Sequence, residues 1–161
     1  SIIGNMLCKV RQEIDEKLST MKQGASASMI VAGQRKGGAM RLFLIYPEGN
    51  FIEASFDTPF FQIGETKYGR PILIRGYDRK MAFEDAVKLM MVSFDSTLKA
   101  NLSVGMPLDL LVIDKDQFEP LHETRITATD PWYRVISASW SDSLKAALDG
   151  LPDYPFPRDK A

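Results

Sequence analysis

Two β-rich runs, residues 28–33 (SMIVAG) and 41–46 (RLFLIY), are joined by only QRKGGAM. So short a link suits a hairpin, and Gly37-Gly38 supplies residues that turn tightly. A second turn signal, Pro47-Glu48-Gly49-Asn50, follows at once. Residues 51–56 then alternate Phe51, Glu53 and Ser55 against Ile52, Ala54 and Phe56, and residues 60–63 resume an extended apolar run. The middle of the chain therefore reads as a meander of antiparallel strands.

Helical patterns bracket this meander. Ile3, Leu7, Val10, Ile14 and Leu18 recur at spacings of three and four, one apolar stripe on a helix that begins almost at Ser1. Residues 22–27 read as a loop. Residues 66–75 read as a short helix, with Pro71 at a kink or in an early first turn. Over residues 81–100, Phe83, Ala86, Val87, Met90, Phe94 and Leu98 form a stripe that Leu89 and Met91 widen, a pattern that packs on two sides. Residues 107–113 predict a strand, 114–117 a turn and 118–122 a partner strand. Asp130-Pro131 predicts an N-cap with proline at the first helical position. That helix carries Trp132, Val135, Ile136, Trp140, Leu144 and Leu148 and stops at Gly150. The order is helix, strands, two helices, two strands, helix, which makes the fold class α+β. Residues 1–150 are expected to form the domain, and 151–161, with three prolines, an extended tail.

The 161 residues carry a net charge of −1, so no global field favours nucleic acid or an anionic membrane. No apolar run approaches the roughly 18 residues of a membrane span, and no secretory leader is expected from the opening residues. The single cysteine, Cys8, excludes an internal disulfide and a Cys-rich metal site. The expected compartment is the cytoplasm.

Individual residues are weighed against plainer roles. Ser1 as a nucleophile is outweighed by its place at a helix start. His122 with Cys8 is conceivable as a catalytic pair, but a lone histidine beside Glu123 and Arg125 reads as a surface group. Asp109, Asp114 and Asp116 lack full calcium-loop spacing and read as solvated acids. Arg75, Arg79 and Lys80 with Tyr77 read as a solvent-facing loop rather than a nucleic-acid contact. Gly37-Gly38 lacks the Lys-Ser/Thr of a phosphate loop.

Three stretches carry a resemblance: LFLIYPEGNFIEA, QIGETKYGRPIL and SFDSTLKANLSVG. They resemble proteasomal β subunits, and most closely the bacterial proteasome-like family called Anbu, in the right order from the first helix to Trp140. The resemblance implies an N-terminal-nucleophile hydrolase with an αββα sandwich whose first strands are missing from this chain. In that group a Thr, Ser or Cys opens the mature chain and attacks an amide, its own α-amine or a nearby Lys acting as base, while a backbone N–H near a Gly turn stabilises the oxyanion.

The nucleophile is thus expected upstream, with no catalytic residue, metal or cofactor assigned within this chain, and this stretch alone is expected to be inactive. The resemblance places Gly64, Glu65, Thr66, Asn101, Ser103 and Gly105 along the cleft. The plainer readings are a helix start at Glu65 and a helix stop at Gly105 through a positive φ. Three positions depart from many proteasome subunits: Glu65 stands where Ser follows the turn glycine, Asn101 stands where Asp precedes the loop glycine, and Ser103 lies two residues short of Gly105 rather than adjacent to it. Expected partners are further copies of the chain, in a ring or helical oligomer, and a peptide substrate. The alternative is a non-catalytic assembly subunit.

Overall fold

The computed structural model describes residues 2–18 and 26–156. The expectations for Ser1, for residues 22–25 of the loop and for residues 157–161 of the tail lie outside the described residues. Helix α1 spans Ile2–Leu18. Strands β1 (Met29–Gly33), β2 (Arg41–Ile45) and β3 (Phe51–Glu53) follow, then helices α2 (Arg70–Gly76) and α3 (Phe83–Ala100). Strands β4 (Leu108–Val112) and β5 (His122–Ile126) precede helix α4 (Pro131–Asp149). The class is α+β, with a three-stranded antiparallel sheet in the order β1-β2-β3 and a separate antiparallel pair β4-β5.

In the larger sheet Val31 faces Phe43, and Ile45 faces Phe51. Because side chains alternate across a strand, these four share one face. They line a cavity of about 840 Å³ with Ile2 and Ile3 of α1. Ile30, Leu42, Leu44 and Ile52 form the opposite face. Helix α1 is held over the β2–β3 turn, where Arg11 Nη1 donates to the Pro47 carbonyl at 3.4 Å. Gly49 makes the close approach possible. Its φ is +83°, and a Cβ there would lie 2.7 Å from Cys8 Sγ and 3.0 Å from the Gly4 carbonyl oxygen. Gly49→Ala is therefore expected to destabilise the fold by about 1–3 kcal/mol through overpacking and left-handed strain. A chemical-denaturation midpoint matching wild type would show that α1 does not bear on this turn.

Four expectations shift. The helix expected over 66–75 begins at Arg70, because residues 67–69 form a turn that the Glu65 carboxylate closes by accepting from the Lys67 N–H at 2.8 Å. The strand expected over 51–56 pairs only to Glu53, because the Ser55 N–H is drawn into a turn with the Thr58 carbonyl at 3.0 Å. Residues 60–63 join no ladder among the described residues; Phe60 instead packs on Tyr77, ring centres 5.7 Å apart. The partner strand expected over 118–122 begins at His122. Pro120 has no N–H to give a ladder, and pairing resumes where the Leu121 N–H reaches the Val112 carbonyl at 2.8 Å. Residues 113–121 are thus a long connection. Asp116 at its tip takes φ 62° and is clasped by Gln34 across the molecule. The Gln34 Nε2 donates to Asp116 Oδ1 at 2.6 Å, and the Asp116 N–H donates to Gln34 Oε1 at 2.8 Å.

Pro71 falls in the first turn of α2, where its missing N–H is not needed. Helices α2 and α3 approach by glycine. A Cβ at Gly69 would collide with Ser93 Oγ, and one at Gly76 would lie 2.5 Å from Leu89 Cδ1. Helix α4 starts as expected: the Asp130 carboxylate accepts from the Tyr133 N–H at 2.8 Å. It stops before Gly150, whose φ of −81° is right-handed, so the stop uses no left-handed cap.

Helices α3 and α4 meet through polar groups. Asp95, 2% exposed, accepts from Lys99 Nζ at 2.8 Å and from the Tyr133 hydroxyl at 3.0 Å. Lys99 also donates to Ser137 Oγ at 3.0 Å and Ser141 Oγ at 3.2 Å. Burial pushes the Asp95 carboxyl up, but the hydrogen bonds from Lys99, Ser137 and Tyr133 outweigh it and hold the group below its ordinary value. Burial, then the bond to Asp95, pushes the Tyr133 phenol up to about 12. A lowered acid stabilises the fold above its unfolded value and loses that contribution as pH falls through its folded value. A raised phenol stabilises the fold below its unfolded value and loses that contribution as pH rises. The α3–α4 packing is therefore expected to be fully held between the ordinary values of 3.8 and 10.0. Far-UV circular dichroism against pH should weaken on both sides of that window, and a flat profile to pH 12 would remove Tyr133 from the account.

The apolar core is small. Ile45, Val92 and Ile126 are buried, whereas Trp132 is 74% exposed. Trp140 and Ile136 are half-buried on α4, while Val135, Leu144 and Leu148 of the same expected stripe face solvent. The chain exposes 12803 Å², against roughly 8,100 Å² for a folded monomer of this mass.

Candidate functional site

Residues 60–69 pass from the extended run into the start of α2, and Gly64 makes the bend with φ +80°, a conformation other residues resist. Directly after it, Glu65 folds back. Its Oε1 accepts from the Lys67 N–H at 2.8 Å, closing the turn that opens α2. Its Oε2 accepts from Asn101 Nδ2 at 2.9 Å. Asn101 is the residue after α3, extended at φ −135° and ψ 112°, and its own N–H closes on the Thr97 carbonyl at 2.9 Å. Its Oδ1 accepts from both the N–H and the hydroxyl of Ser103, at 2.9 and 2.7 Å.

One chain of hydrogen bonds therefore runs from the loop after α3 to the turn before α2. Ser103 donates to Asn101, Asn101 donates to Glu65, and the Lys67 backbone donates to Glu65. The bond from the Lys67 N–H, chiefly, holds the Glu65 carboxyl below its usual range against partial desolvation, and Asn101 adds to it. Glu65 is thus an anion at neutral pH with both oxygens oriented. The amide of Asn101 suits its place because it donates to the anion with one end and accepts from Ser103 with the other.

Gly64 and Thr66 lie on the far side of the same turn. With Gln62 and Ile63 they line a cavity of about 420 Å³ whose other wall is Ser26, Ser28, Leu44 and Tyr46. The turn thus looks onto the sheet face opposite α1. Of the six residues expected along the cleft, Glu65, Asn101 and Ser103 are bonded in series and Gly64 and Thr66 border the cavity. Gly105 stands apart: a Cβ there would meet nothing within 4 Å. Nor does it end α3 by a positive φ, which it does not have; the extended backbone at Asn101 does that. The expectation for Glu65 as a helix-end anion is refined too, since it caps the turn ahead of α2 rather than the helix itself. Sequence reasoning missed Gln62 and Tyr46; the alternation that puts Tyr46 and Leu44 on one face was the signal for the latter.

The remaining candidates disperse. Cys8 Sγ points at the Pro47 carbonyl, 3.9 Å away, while His122 is paired with Val112 in the β4–β5 ladder. Asp109 is engaged by Arg125 across the strands at 2.6 and 2.9 Å. Among the described residues no group of three or more His, Cys, Asp or Glu is placed to hold a metal ion, and no helix is long and apolar enough to cross a membrane.

The family described as "Proteasome subunit" matches residues 6–113. Solved structures align with it closely. An Anbu mutant (Gly-1) from Hyphomicrobium sp. strain MC1 is 46% identical, with TM-score 0.87, over 96% of this chain and 62% of that one. Anbu, described as an ancestral beta-subunit, from Yersinia bercovieri is 38% identical, with TM-score 0.85, over 96% and 64%. The helical assembly of the Anbu complex from Pseudomonas aeruginosa contributes a chain 41% identical, with TM-score 0.80, over 94% and 65%. A comparison with curated proteins gives no match. The chain spans less than two-thirds of the length of these solved relatives. Sequence and fold together make it a member of the proteasome subunit family, similar to Anbu proteins.

Proposed function

We propose that the protein is a subunit of a self-assembling, cytoplasmic peptidase of the proteasome type, hydrolysing peptide bonds with a Thr, Ser or Cys that begins a strand upstream of Ser1. The observation that supports this best is the 2.9 Å bond from Asn101 to Glu65. It joins the two loops that the family resemblance puts beside the nucleophile, and it orders an anion there. In this reading the nucleophile's oxygen (sulfur, for Cys) attacks the amide carbonyl as its proton passes to the chain's own α-amine. The α-amine hands that proton to the leaving amine as the C–N bond breaks, and water then hydrolyses the acyl-enzyme to free the nucleophile. A backbone N–H near the Gly64 turn meets the developing oxyanion. Glu65 orients the α-amine or an incoming peptide cation through its remaining lone pairs. The loops around Gly64 and Asn101 supply the walls of the cleft.

Glu65 and Asn101 also support a second reading, since neither matches the residue common in proteasome subunits: an assembly subunit without turnover. Intact-mass measurement and N-terminal sequencing of the protein from its natural source, paired with turnover of a peptide library, separate the two. A mature chain opening on Thr, Ser or Cys that cleaves peptides, and loses cleavage when that residue becomes Ala, upholds the peptidase. A mature chain opening on any other residue, with no turnover, upholds the assembly subunit.

A further inference from the structure

We infer that the outer face of α2 docks onto the connection between β4 and β5 of a second copy, making a head-to-tail contact; this rests on the self-assembly in the reading above. The two surfaces match in kind. Helix α2 closes on α3 through Gly69 and Gly76. The helical period then turns Arg70, Pro71, Ile74 and Arg75 to the opposite side, and all four are exposed. Ile74 is 62% exposed on the same side of the helix as Arg70 and Arg75. Downstream, Lys80 continues the basic stretch, while Tyr77 packs on Phe60 and the Arg79 guanidinium lies over the Phe56 ring at 4.5 Å.

Residues 67–80 hold Lys67, Arg70, Arg75, Arg79 and Lys80 against one acid, Asp78, and that acid is engaged by the Lys80 N–H at 2.8 Å. Among the described residues Arg70, Arg75 and Lys80 have no carboxylate partner. An exposed apolar residue flanked by arginines is the composition of an interface, and in a chain of net charge −1 it is not explained by a general positive surface.

The reciprocal surface is residues 113–123. Asp114, Asp116, Glu119 and Glu123 stand there against Lys115. Phe118 is 64% and Leu121 58% exposed between them. Asp116 is committed to Gln34, whereas Glu119 and Glu123 have no cationic partner among the described residues. One surface is apolar and basic, the other apolar and acidic, and no hydrogen bond or ion pair among the described residues joins them within one copy. Two different surfaces meeting between identical chains form a heterologous contact, which repeats into a ring or an open helix.

The test is charge exchange in the full-length protein, followed by sedimentation velocity at low and high salt. R70E/R75E and, separately, E119K/E123K are each expected to raise the concentration for half-assembly by about tenfold or more, with circular dichroism unchanged because all four side chains are exposed. An equimolar mixture of the two variants is expected to assemble again, since each reversed surface then meets its reversed counterpart. Assembly of either variant at the wild-type concentration, or a mixture that stays dissociated, overturns the contact. A wild-type protein that is a single copy at every salt and concentration overturns self-assembly itself. Peptide turnover measured on the same samples reports on the peptidase reading separately.

Discussion

In the peptidase reading proposed above, Asn101→Asp in the full-length protein is expected to cut peptide turnover at pH 7 by about 100-fold, the scale on which a small displacement near a reacting centre acts. The change looks conservative, and it restores the residue common in proteasome subunits. Here it faces an anion. The Asn101 Nδ2 that donates to Glu65 Oε2 at 2.9 Å becomes a carboxylate oxygen, and two carboxylates at that distance cannot both ionise freely. One has its pKa raised in the folded state. Its destabilising effect is absent below the carboxylate range and grows as pH rises through it. Turnover and thermal midpoint should thus both recover toward wild type on acidification. Adding Glu65→Ser should rescue the loss at pH 7, because the two departures would then be reversed together. A single variant with wild-type turnover, or a double variant no better than the single, would show that the two positions act independently.

Asp95→Ala is expected to destabilise the fold by about 2–3 kcal/mol, the cost of leaving buried hydrogen-bonding groups without a partner, or roughly 5–10 °C in thermal midpoint for a chain of this size. Lys99 contributes little to that loss, since half of its side chain already reaches water. Tyr133 and Ser137 sit at the seam with no comparable exposure. Asp95→Asn keeps an acceptor in place and should cost about 1 kcal/mol. A second readout comes from Tyr133. Its phenol, at about 12 with Asp95 present, should titrate nearer its ordinary value in the alanine variant, measurable by ultraviolet difference absorbance. An unshifted titration would mean that the hydrogen bond does not reach Tyr133 in solution.

Some of this is open to inspection in the sequence. The β-rich runs at 28–33 and 41–46 and the Asp130-Pro131 start of α4 follow local rules, and these elements stand where those rules put them. The β5 strand is displaced from its expected place because apolar Phe118 and Leu121 outweigh Pro120 in a reading by pattern, whereas a proline's missing donor decides where a ladder can run. Glu65 and Asn101 are each visible as departures from a family pattern. Their bond to each other is not, because 36 residues separate them and only the closure of α2 on α3 brings them together. Nothing in helical periodicity announces that closure; it rests on Gly69 and Gly76, residues that a pattern search reads as interruptions. The polar α3–α4 seam is hidden for a similar reason. Asp95, Ser137 and Ser141 look like surface residues until two helices are laid against each other.

The clasp between Gln34 and Asp116 spans 82 positions of the chain. A ring that large gains order only after both hairpins exist, since closing it early would cost chain entropy with no packing to offset it. The Asp116 amide is therefore a sentinel. In a hydrogen-exchange experiment it should become protected only when the whole molecule is in place, and it should be released first when either sheet loosens. Its exchange rate would report, at one peptide bond, whether the two hairpins are registered on each other.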